Sequence, residues 1–403
     1  MGAVAWIGRT LLAGFLGLAC LALLQPSHAS DRYIDAVDDP GRWVIGNALA
    51  QALINLELRA ASGGYTEVPE GRTIRPGERS VAVAFLDQRL RESGDLTVSR
   101  ADREFFDPTL EQAVHLFQTR HGLEVDGLVG RRTLAALNTP VERVIERVLV
   151  NLNREESAPD VSTGKAVVVN LPEYRLRALE DGAVALAMDV IIGRRTWETP
   201  VLSTEITHLI LNPTWTVPPG ILTRTIAPAI LEGQDYLGDN ELELLSPVVE
   251  VTEIDWQHVA DGALTHEGEL LRFRQAPGPG NPLGRYRFHM PNRDHIFLHD
   301  TNQPGLLRNH ARALSAGCVR LADPQALAAF VAGDHNDAYW RRYDQDPNWQ
   351  YRWIVLDDPV PVHLVYHTVW VDDLGTLHVR PDVYGWDRTA IASLRASATT
   401  VAG

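Results

Sequence analysis

The residue most able to carry chemistry is Cys318, in the stretch SAGCVRL. The other cysteine, Cys20, falls in an apolar N-terminal run that is typical of a signal peptide, so cleavage would leave Cys318 as the mature chain's single thiol. One thiol cannot form an internal disulfide, which leaves a reactive cysteine or a buried, inert one. The small neighbours Ala316 and Gly317 favour reactivity, because they keep the sulfur approachable and free backbone N–H groups for an oxyanion.

A nucleophilic cysteine needs a base or a nearby positive charge. His299, at the end of the alternating stretch HIFLH, and Arg320, just after the cysteine, are the candidates. As a thiolate, Cys318 would react faster than a free cysteine, whose pKa is about 8.5. The spacing between His299 and Cys318 alone does not show that His299 is a base. A purely structural histidine at the end of a strand is the alternative. Asp323 followed by Pro324 predicts that a helix begins directly after this segment.

Metal chemistry is not predicted. His295 and His299 share one face if HIFLH is a strand, but at ~3.3 Å per residue they lie about 13 Å apart and cannot bind one ion. The chain has no HExxH motif and no Cys/His cluster, and GPGNPLG has the pattern of a turn rather than of a phosphate loop. We therefore expect no metal and no cofactor.

Charge and composition limit the partners. The chain of 403 residues has a formal net charge of −15 and no basic run, which argues against nucleic acid and anionic membrane surfaces as partners. A hydrophobic content of 45% indicates packed cores. The apolar N-terminal run is shorter than the ~20 residues that span a bilayer, so membrane contact is expected only through the signal peptide. An uncleaved anchor is the alternative, and the oligomeric state is left open.

The order of patterns along the chain predicts an α+β protein. Helical periodicity precedes residue 163, and period-two alternation with an Asp-Gly hairpin turn at 181–182 follows it. An acidic segment at 223–270 interrupts the strands and is interpreted as a capping insertion. The predicted boundaries are a signal peptide at 1–29, a helical scaffold segment and linker at 31–79, a three-helix domain at 80–138, a connecting helix and linker at 141–162, a β-rich domain at 163–335 and a C-terminal scaffold segment at 336–403.

Two stretches resemble known families. Between Thr109 and Asn138, FQ is followed by GLEVDGLVG and TLAAL, which resembles the three-helix peptidoglycan-binding domain over about 80–138. A helical spacer without binding is the alternative. LHDT followed by SAGCVRL resembles the active-site signature of L,D-transpeptidases of the YkuD fold, in particular their long periplasmic subgroup. That similarity extends over about 166–386, apart from the acidic insertion.

The second resemblance implies roles for the residues. Cys318 would be the nucleophile and His299 its base, Gly317 and the Cys318 backbone would form the oxyanion hole, and Arg320 would orient substrate or hold the loop. Ser315 matches the motif serine. Ala316 stands where many members have histidine, so any role of that side chain is missing here.

The implied function is an exported, periplasmic and wall-associated acyltransferase that forms 3→3 peptidoglycan cross-links on tetrapeptide stems and releases D-alanine. The residues alone support only thiol-based acyl transfer. The acceptor remains open among a stem amine, a D-amino acid, a protein lysine and water, which would make the protein an L,D-carboxypeptidase. A non-catalytic wall-binding scaffold is the alternative from another class.

Overall fold

The computed structural model describes residues 46–246, 248–344 and 346–401, so the predicted signal peptide at 1–29 lies outside the described residues. The helices are α1 (Gly46–Ala61), α2 (Val81–Glu92), α3 (Pro108–Arg120), α4 (Arg131–Leu137), α5 (Val141–Glu155), α6 (Pro219–Ile221), α7 (Ala227–Leu231), α8 (Tyr236–Asp239), α9 (Trp256–Ala260), α10 (Pro324–Asp344) and α11 (Trp386–Val401). The strands are β1 (Lys165–Asn170), β2 (Arg175–Glu180), β3 (Ala183–Gly193), β4 (Leu202–Leu211), β5 (Trp215–Thr216), β6 (Leu242–Leu244), β7 (Thr265–His266), β8 (Glu269–Leu270), β9 (Phe273–Gln275), β10 (Tyr286–His289), β11 (Leu298–His299), β12 (Ala313–Ser315), β13 (Val319–Leu321), β14 (Arg352–Val365), β15 (Val369–Val371) and β16 (Leu377–Val379).

A mixed nine-stranded sheet carries the cysteine, in the order β12-β3-β13-β11-β10-β4-β14-β1-β2, with β2 also paired to β3. The predicted hairpin turn is confirmed: Asp181 and Gly182 connect β2 to β3 and both have positive φ, 51° and 76°. Two positive φ values define the tight turn whose twist suits an antiparallel pair. One face of the sheet is fully buried by apolar side chains, including Leu209, Phe288 and Leu298.

Strand β14 belongs to this sheet, which the sequence did not predict. It pairs antiparallel with β4 and parallel with β1, where Val167 faces Val362. The predicted boundary at residue 335 therefore divides a single sheet and is placed too early. β1 and β14 are far apart in the sequence, and a parallel pairing at that distance produces no local sequence pattern. The pairing could therefore not be predicted.

Helix α10 begins where the sequence predicted. The Asp323 carboxylate accepts a hydrogen bond from the amide of Ala326 at 2.9 Å, and Pro324 occupies the first helical position. Leu327 and Trp340 from this helix are fully buried in the core of the sheet. The helix thus fixes the end of the segment that contains Cys318.

The three helices α2, α3 and α4 enclose a separate apolar core that includes Phe117. Gln118 is fully buried, and its side-chain amide donates to Asp126 Oδ1 at 2.9 Å and to the Leu128 carbonyl at 3.0 Å, while its oxygen accepts from the amide of Gly127 at 3.0 Å. The FQ and DG residues of this motif therefore hold the loop between α3 and α4 in place.

Helix α1 lies in the predicted helical scaffold segment at 31–79 and packs against other elements of the chain. It packs with α5 and with the β15–β16 hairpin around a shared core that includes Leu49, Val148 and Trp370. The predicted N-terminal and C-terminal scaffold segments are thus parts of one cluster. No helix among the residues described is both long and apolar enough to span a membrane.

The insertion lies between β4 and β10 and has its own core. Ile226, Ala227 and Phe273 are fully buried there, and a small sheet in the order β5-β9-β6 crosses it. Core residues run from Val217 to Phe273, so the insertion is somewhat longer than the predicted 223–270.

Candidate active site

Neighbouring strands bring His299 and Arg320 together. β11 and β13 run parallel, with His299 opposite Arg320, and Cys318 immediately precedes β13. Leu298 and Val319 point to the opposite, buried face. The short strand register therefore places the predicted base, the predicted cation and the start of the predicted nucleophilic turn at one edge of the same face.

A hydrogen-bonded turn holds Cys318. The Ser315 hydroxyl donates to the Cys318 carbonyl at 2.6 Å and accepts from the Gly317 amide at 3.2 Å. Gly317 has φ of 114°, a conformation that favours glycine, and an added Cβ would lie 3.2 Å from Ile296 Cδ1. Since the Gly317 N–H already has a partner, the Cys318 N–H is the better placed oxyanion donor of the two that the sequence suggested.

Thr199 anchors this turn from outside, and the sequence did not single it out. It is fully buried, donates to the Gly317 carbonyl at 2.6 Å and accepts from the Gly193 amide at 2.8 Å. The Tyr384 hydroxyl accepts from the Thr199 amide at 3.2 Å and donates to the Gly193 carbonyl at 2.7 Å. The sequence gives no indication that Tyr384 contacts Thr199 and Gly193, because it lies far along the chain from both.

His299 has a defined tautomer and a low pKa. Its Nδ1 lies 2.5 Å from the Asp300 carbonyl, which can only accept, so Nδ1 carries the proton and Nε2 keeps a lone pair. Burial lowers the pKa of His299 to about 3, and the positive charge of Arg320 acts in the same direction. The imidazole is therefore neutral at pH 7 and able to accept a proton through Nε2.

Cys318 is partly exposed and rests as a thiol. Burial raises the pKa of the Cys318 thiol, while a hydrogen bond from the Phe297 backbone and the charges of Arg287 and Arg320 act to lower it. The Sγ atom lies 3.8 Å from the His295 carbonyl, to which it can donate. The sequence predicted a thiolate at Cys318. The structure instead has a neutral thiol and a neutral imidazole before any substrate binds.

Arg287 lies on the same face as His299, and no motif in the sequence singled it out. It lies directly opposite His299 in the β10–β11 register, and its guanidinium carbon lies 3.9 Å from the centre of the Phe297 ring. The Nε atoms of both Arg287 and Arg320 are buried and have no hydrogen-bond partner. Alternation in RYRFHM was the available signal, since it places Arg287 and His289 on one face.

Aromatic side chains continue this face away from Cys318. The rings of His289 and Phe297 stack with centres 5.9 Å apart, and Trp353 lies 5.4 Å from His289 and 4.6 Å from His208. Trp353 is 45% exposed. The surface can accept a flat or apolar group next to the nucleophile.

The insertion contacts the loop that anchors the cysteine turn. The Arg224 guanidinium carbon lies 4.3 Å from the centre of the Trp197 ring, and a Cβ on Gly220 would lie 3.4 Å from the same ring. Trp197 is close to the turn, because its carbonyl lies 4.0 Å from the Cβ position of Gly317. The insertion therefore reaches the cysteine turn through Trp197 rather than by touching it directly.

The histidine pair of HIFLH has a different backbone from the predicted one. The strand ends at His299 as predicted, but it begins only at Leu298, and His295 has φ of 54°. Within residues 46–246, 248–344 and 346–401, no cluster of three or more His, Cys, Asp or Glu side chains could hold a metal ion.

Two protein families match the chain. Residues 164–362 match YkuD, the "L,D-transpeptidase catalytic domain", and residues 79–137 match the "Putative peptidoglycan binding domain". The protein thus combines a YkuD-type L,D-transpeptidase domain with an N-terminal domain of the peptidoglycan-binding family. The predicted fold class, an α+β protein with a β-rich YkuD-type domain and a small three-helix domain, is confirmed.

Two curated relatives are similar to parts of the chain. A "Putative L,D-transpeptidase" from Haemophilus influenzae is 30% identical over 248 residues, which cover 61% of this chain and 49% of that protein. The "N-acetylmuramoyl-L-alanine amidase CwlM" from Mycobacterium tuberculosis is 36% identical over 129 residues, covering 29% and 30% of the two chains. The chain spans about half the length of the first relative and less of the second.

Among solved structures, an L,D-transpeptidase from Xylanimonas cellulosilytica covers 74% of this chain and 99% of its own at 18% identity and a TM-score of 0.24. An L,D-transpeptidase from Stackebrandtia nassauensis covers 75% and 96% at 13% identity and a TM-score of 0.28.

Proposed function

We propose that the protein is a cysteine-dependent L,D-transpeptidase that cross-links peptidoglycan stem peptides. The observation that carries the proposal is the juxtaposition of Cys318, the neutral His299 and Arg320 on one sheet face, within a domain that matches the L,D-transpeptidase family. The acyl donor is a tetrapeptide stem, and its carbonyl between the third residue and D-alanine is the point of attack.

In the first half-reaction the Cys318 sulfur attacks this carbonyl carbon as its proton passes to His299 Nε2. Attack by a thiol rather than a free thiolate fits the raised pKa of Cys318 and the lowered pKa of His299. The carbonyl oxygen becomes an oxyanion that the Cys318 N–H stabilises. The imidazolium then protonates the amine, D-alanine leaves, and a thioester joins the third residue to Cys318.

In the second half-reaction the side-chain amine of another stem's third residue attacks the thioester. His299 accepts the proton of that amine, the new amide bond forms the 3→3 cross-link, and the proton returns to the Cys318 sulfur. Arg320 and Arg287 supply the positive charge next to the reaction, where they orient substrate carboxylates or stabilise the sulfur as its charge develops.

Peptidoglycan is also the ligand proposed for residues 79–137, on the strength of the family match. Binding there would keep the catalytic domain near its polymeric substrate and raise the effective concentration of stems. Action on wall polymer requires an exported protein, so the proposed location is the periplasm and the cell wall.

The test is to incubate the purified protein with soluble tetrapeptide muropeptides and to follow the products by mass spectrometry. Released D-alanine together with a dimer of stems supports the transpeptidase. Release without a dimer identifies an L,D-carboxypeptidase, exchange of the terminal residue for an added D-amino acid identifies an exchange enzyme, and no release favours a wall-binding scaffold.

Two variants make the assignment specific. Cys318→Ala is expected to abolish D-alanine release, and His299→Gln to lower it by roughly 100-fold or more, because general bases of this kind contribute on that order. Cross-links formed by folded Cys318→Ala would overturn the proposed mechanism.

A further inference from the structure

A cavity of about 140 Å³ lies where the three-helix domain meets helix α5 and the β15–β16 hairpin, away from Cys318. Four arginines line it: Arg89, Arg120, Arg147 and Arg380. No aspartate or glutamate is among its lining residues. A cavity with this lining favours an anion, because guanidinium groups bind carboxylate and phosphate oxygens through charge-assisted hydrogen bonds.

The charges of two of these arginines are already compensated. Arg120 is paired with Asp95 through two contacts of 2.6 Å, and Arg147 with Asp387 at 3.0 Å. Their carboxylate partners lie outside the lining of the cavity.

Arg89 differs from Arg120 and Arg147. It is only 3% exposed, and none of the ion pairs found within the described part of the chain includes it. Its Nε donates to the Leu137 carbonyl at 2.7 Å, and its guanidinium lies 3.8 Å from the centre of the Tyr65 ring, but its Nη1 is buried without a hydrogen-bond partner. Burying a charge without a paired carboxylate in direct contact is costly, so a bound anion would stabilise Arg89.

Burial and the neighbouring charges shift the pKa values of Arg89 and His121 at this cavity. Burial lowers the pKa of Arg89 to about 10 and Arg120 adds to that shift, while Tyr65 and the more distant carboxylates of Asp95 and Glu92 act against it without cancelling it. Burial and Arg120 also hold the pKa of His121 well below its usual range, so His121 adds no charge of its own.

We propose that this cavity binds a small oxyanion, a carboxylate or phosphate group, which Arg89 and its neighbouring arginines hold at the junction between the three-helix domain and the rest of the chain. The volume accommodates one such group. A bound oxyanion would stabilise the junction, because a ligand that binds only the folded state shifts the folding equilibrium in proportion to its occupancy.

The experiment measures the melting temperature of the full chain while inorganic phosphate replaces chloride at constant ionic strength. We expect a saturable rise of roughly 2–5 °C. Parallel titrations with acetate and with an N-acetylated tetrapeptide stem distinguish the sources: a response to phosphate alone assigns a phosphate group, and a response to the carboxylates assigns stem peptides. An equal rise with added chloride, or no rise with any of the three, overturns the proposal.

Variants locate the effect. Arg89→Met should abolish the response. Thr139 also lines the cavity, so Thr139→Glu should place a carboxylate inside it, raise the melting temperature without phosphate and remove the response. Thr139→Gln is the neutral control and should respond like the wild type.

If Arg89→Met fails to fold, the two Thr139 variants decide the question. A response that is equal in Thr139→Glu and Thr139→Gln places the binding elsewhere and refutes the site. Melting does not depend on turnover, so this result is separate from the outcome of the transpeptidase assay.

Discussion

At the scale of single residues, the resting state of Cys318 has a measurable consequence. Because burial raises the pKa of its thiol, we expect iodoacetamide near pH 7 to label the native protein more slowly than free cysteine. The rate should still climb with pH beyond the range in which free cysteine has levelled off. Intact mass of a protein that starts at Ser30, and therefore lacks Cys20, reads the adduct, and Cys318→Ala supplies the unlabelled control. Labelling that is faster than that of free cysteine would contradict the neutral thiol and support the thiolate that the sequence predicted.

Arg287 gives a second prediction at this scale. Its charge is one of the influences that lower the pKa of Cys318, so Arg287→Gln should slow labelling at pH 7 and move the pH–rate curve to higher pH. Arg274→Gln is the matched control, because Arg274 pairs with Glu243 on the insertion's own small sheet. If both variants label like the wild type, Arg287 has no electrostatic role at the sulfur.

The low pKa of His299 predicts a pH-dependent stability. The unfolded chain protonates this histidine below its ordinary pKa of about 6.5, whereas the folded chain resists protonation until a pH of about 3. Folding therefore loses stability as pH falls through this window. Between pH 7.5 and 5 the loss assigned to His299 should be about 1–2 kcal/mol.

Urea unfolding of the wild type and of His299→Gln at the two pH values measures this loss. The variant lacks the titrating group, so its stability relative to the wild type should improve at pH 5. A difference between the two proteins that does not change with pH would mean that the pKa of His299 is the same in the folded and the unfolded chain.

At the scale of elements, the insertion is expected to restrict water at the site. Trp197→Ala removes the ring on which Arg224 rests, and it should raise the ratio of hydrolysis to cross-linking because a looser cap admits water. The products of the muropeptide assay give this ratio. Arg274→Ala changes an exposed residue of the same insertion and serves as the control.

The ratio in Trp197→Ala should differ from the control by several-fold, and Arg224→Ala should show the same direction. An unchanged ratio in both folded variants would contradict a capping role and leave the insertion as a neighbour of the site only.

Local patterns in the sequence predicted the elements that depend on local chemistry. The Asp181-Gly182 turn and the start of α10 at Pro324 follow from backbone preferences within a few residues. They did not predict β14 in the central sheet or the contact of Thr199 with Gly317, because both depend on residues far apart in the chain. His295 departs from the predicted strand because it takes a positive φ that alternation cannot reveal.

The same division holds for the site. Cys318, His299 and Arg320 could be proposed from the sequence because they fall in one short stretch. Arg287 was missed because only the β10–β11 register brings it to His299. The protonation states of Cys318 and His299 could not be predicted either. Burial sets the pKa of both groups, and the sequence does not reveal burial.

At the scale of the whole molecule, the three-helix domain is held by specific contacts as well as by the chain. Arg120 Nη1 donates to the Leu377 carbonyl at 3.1 Å, and the Gly122 carbonyl lies 2.7 Å from His310 Nε2. His310 belongs to the segment between His299 and Cys318. The domain therefore touches both the scaffold cluster and the segment that contains the proposed active site, and its removal would expose surfaces in each.

The buried pair of Asp95 and Arg120 is the point at which this junction is most sensitive. Their side chains are 4% and 9% exposed, and both oxygens of the carboxylate are used. Asp95→Asn keeps the shape and removes the charge that compensates Arg120, so we expect a loss of about 3–5 kcal/mol in the free energy of unfolding. Asp102→Asn, which breaks the exposed pair with Arg79, should remain close to the wild type.

Because Asp95→Asn also makes the arginine cavity more positive, phosphate should recover part of the lost stability in this variant. In Asp102→Asn, phosphate should add no more stability than it adds to the wild type. Urea unfolding in chloride and in phosphate measures both effects. Equal stability of the two variants would show that Asp95 does not hold the junction, and a loss that phosphate leaves untouched would separate the salt bridge from the proposed anion site.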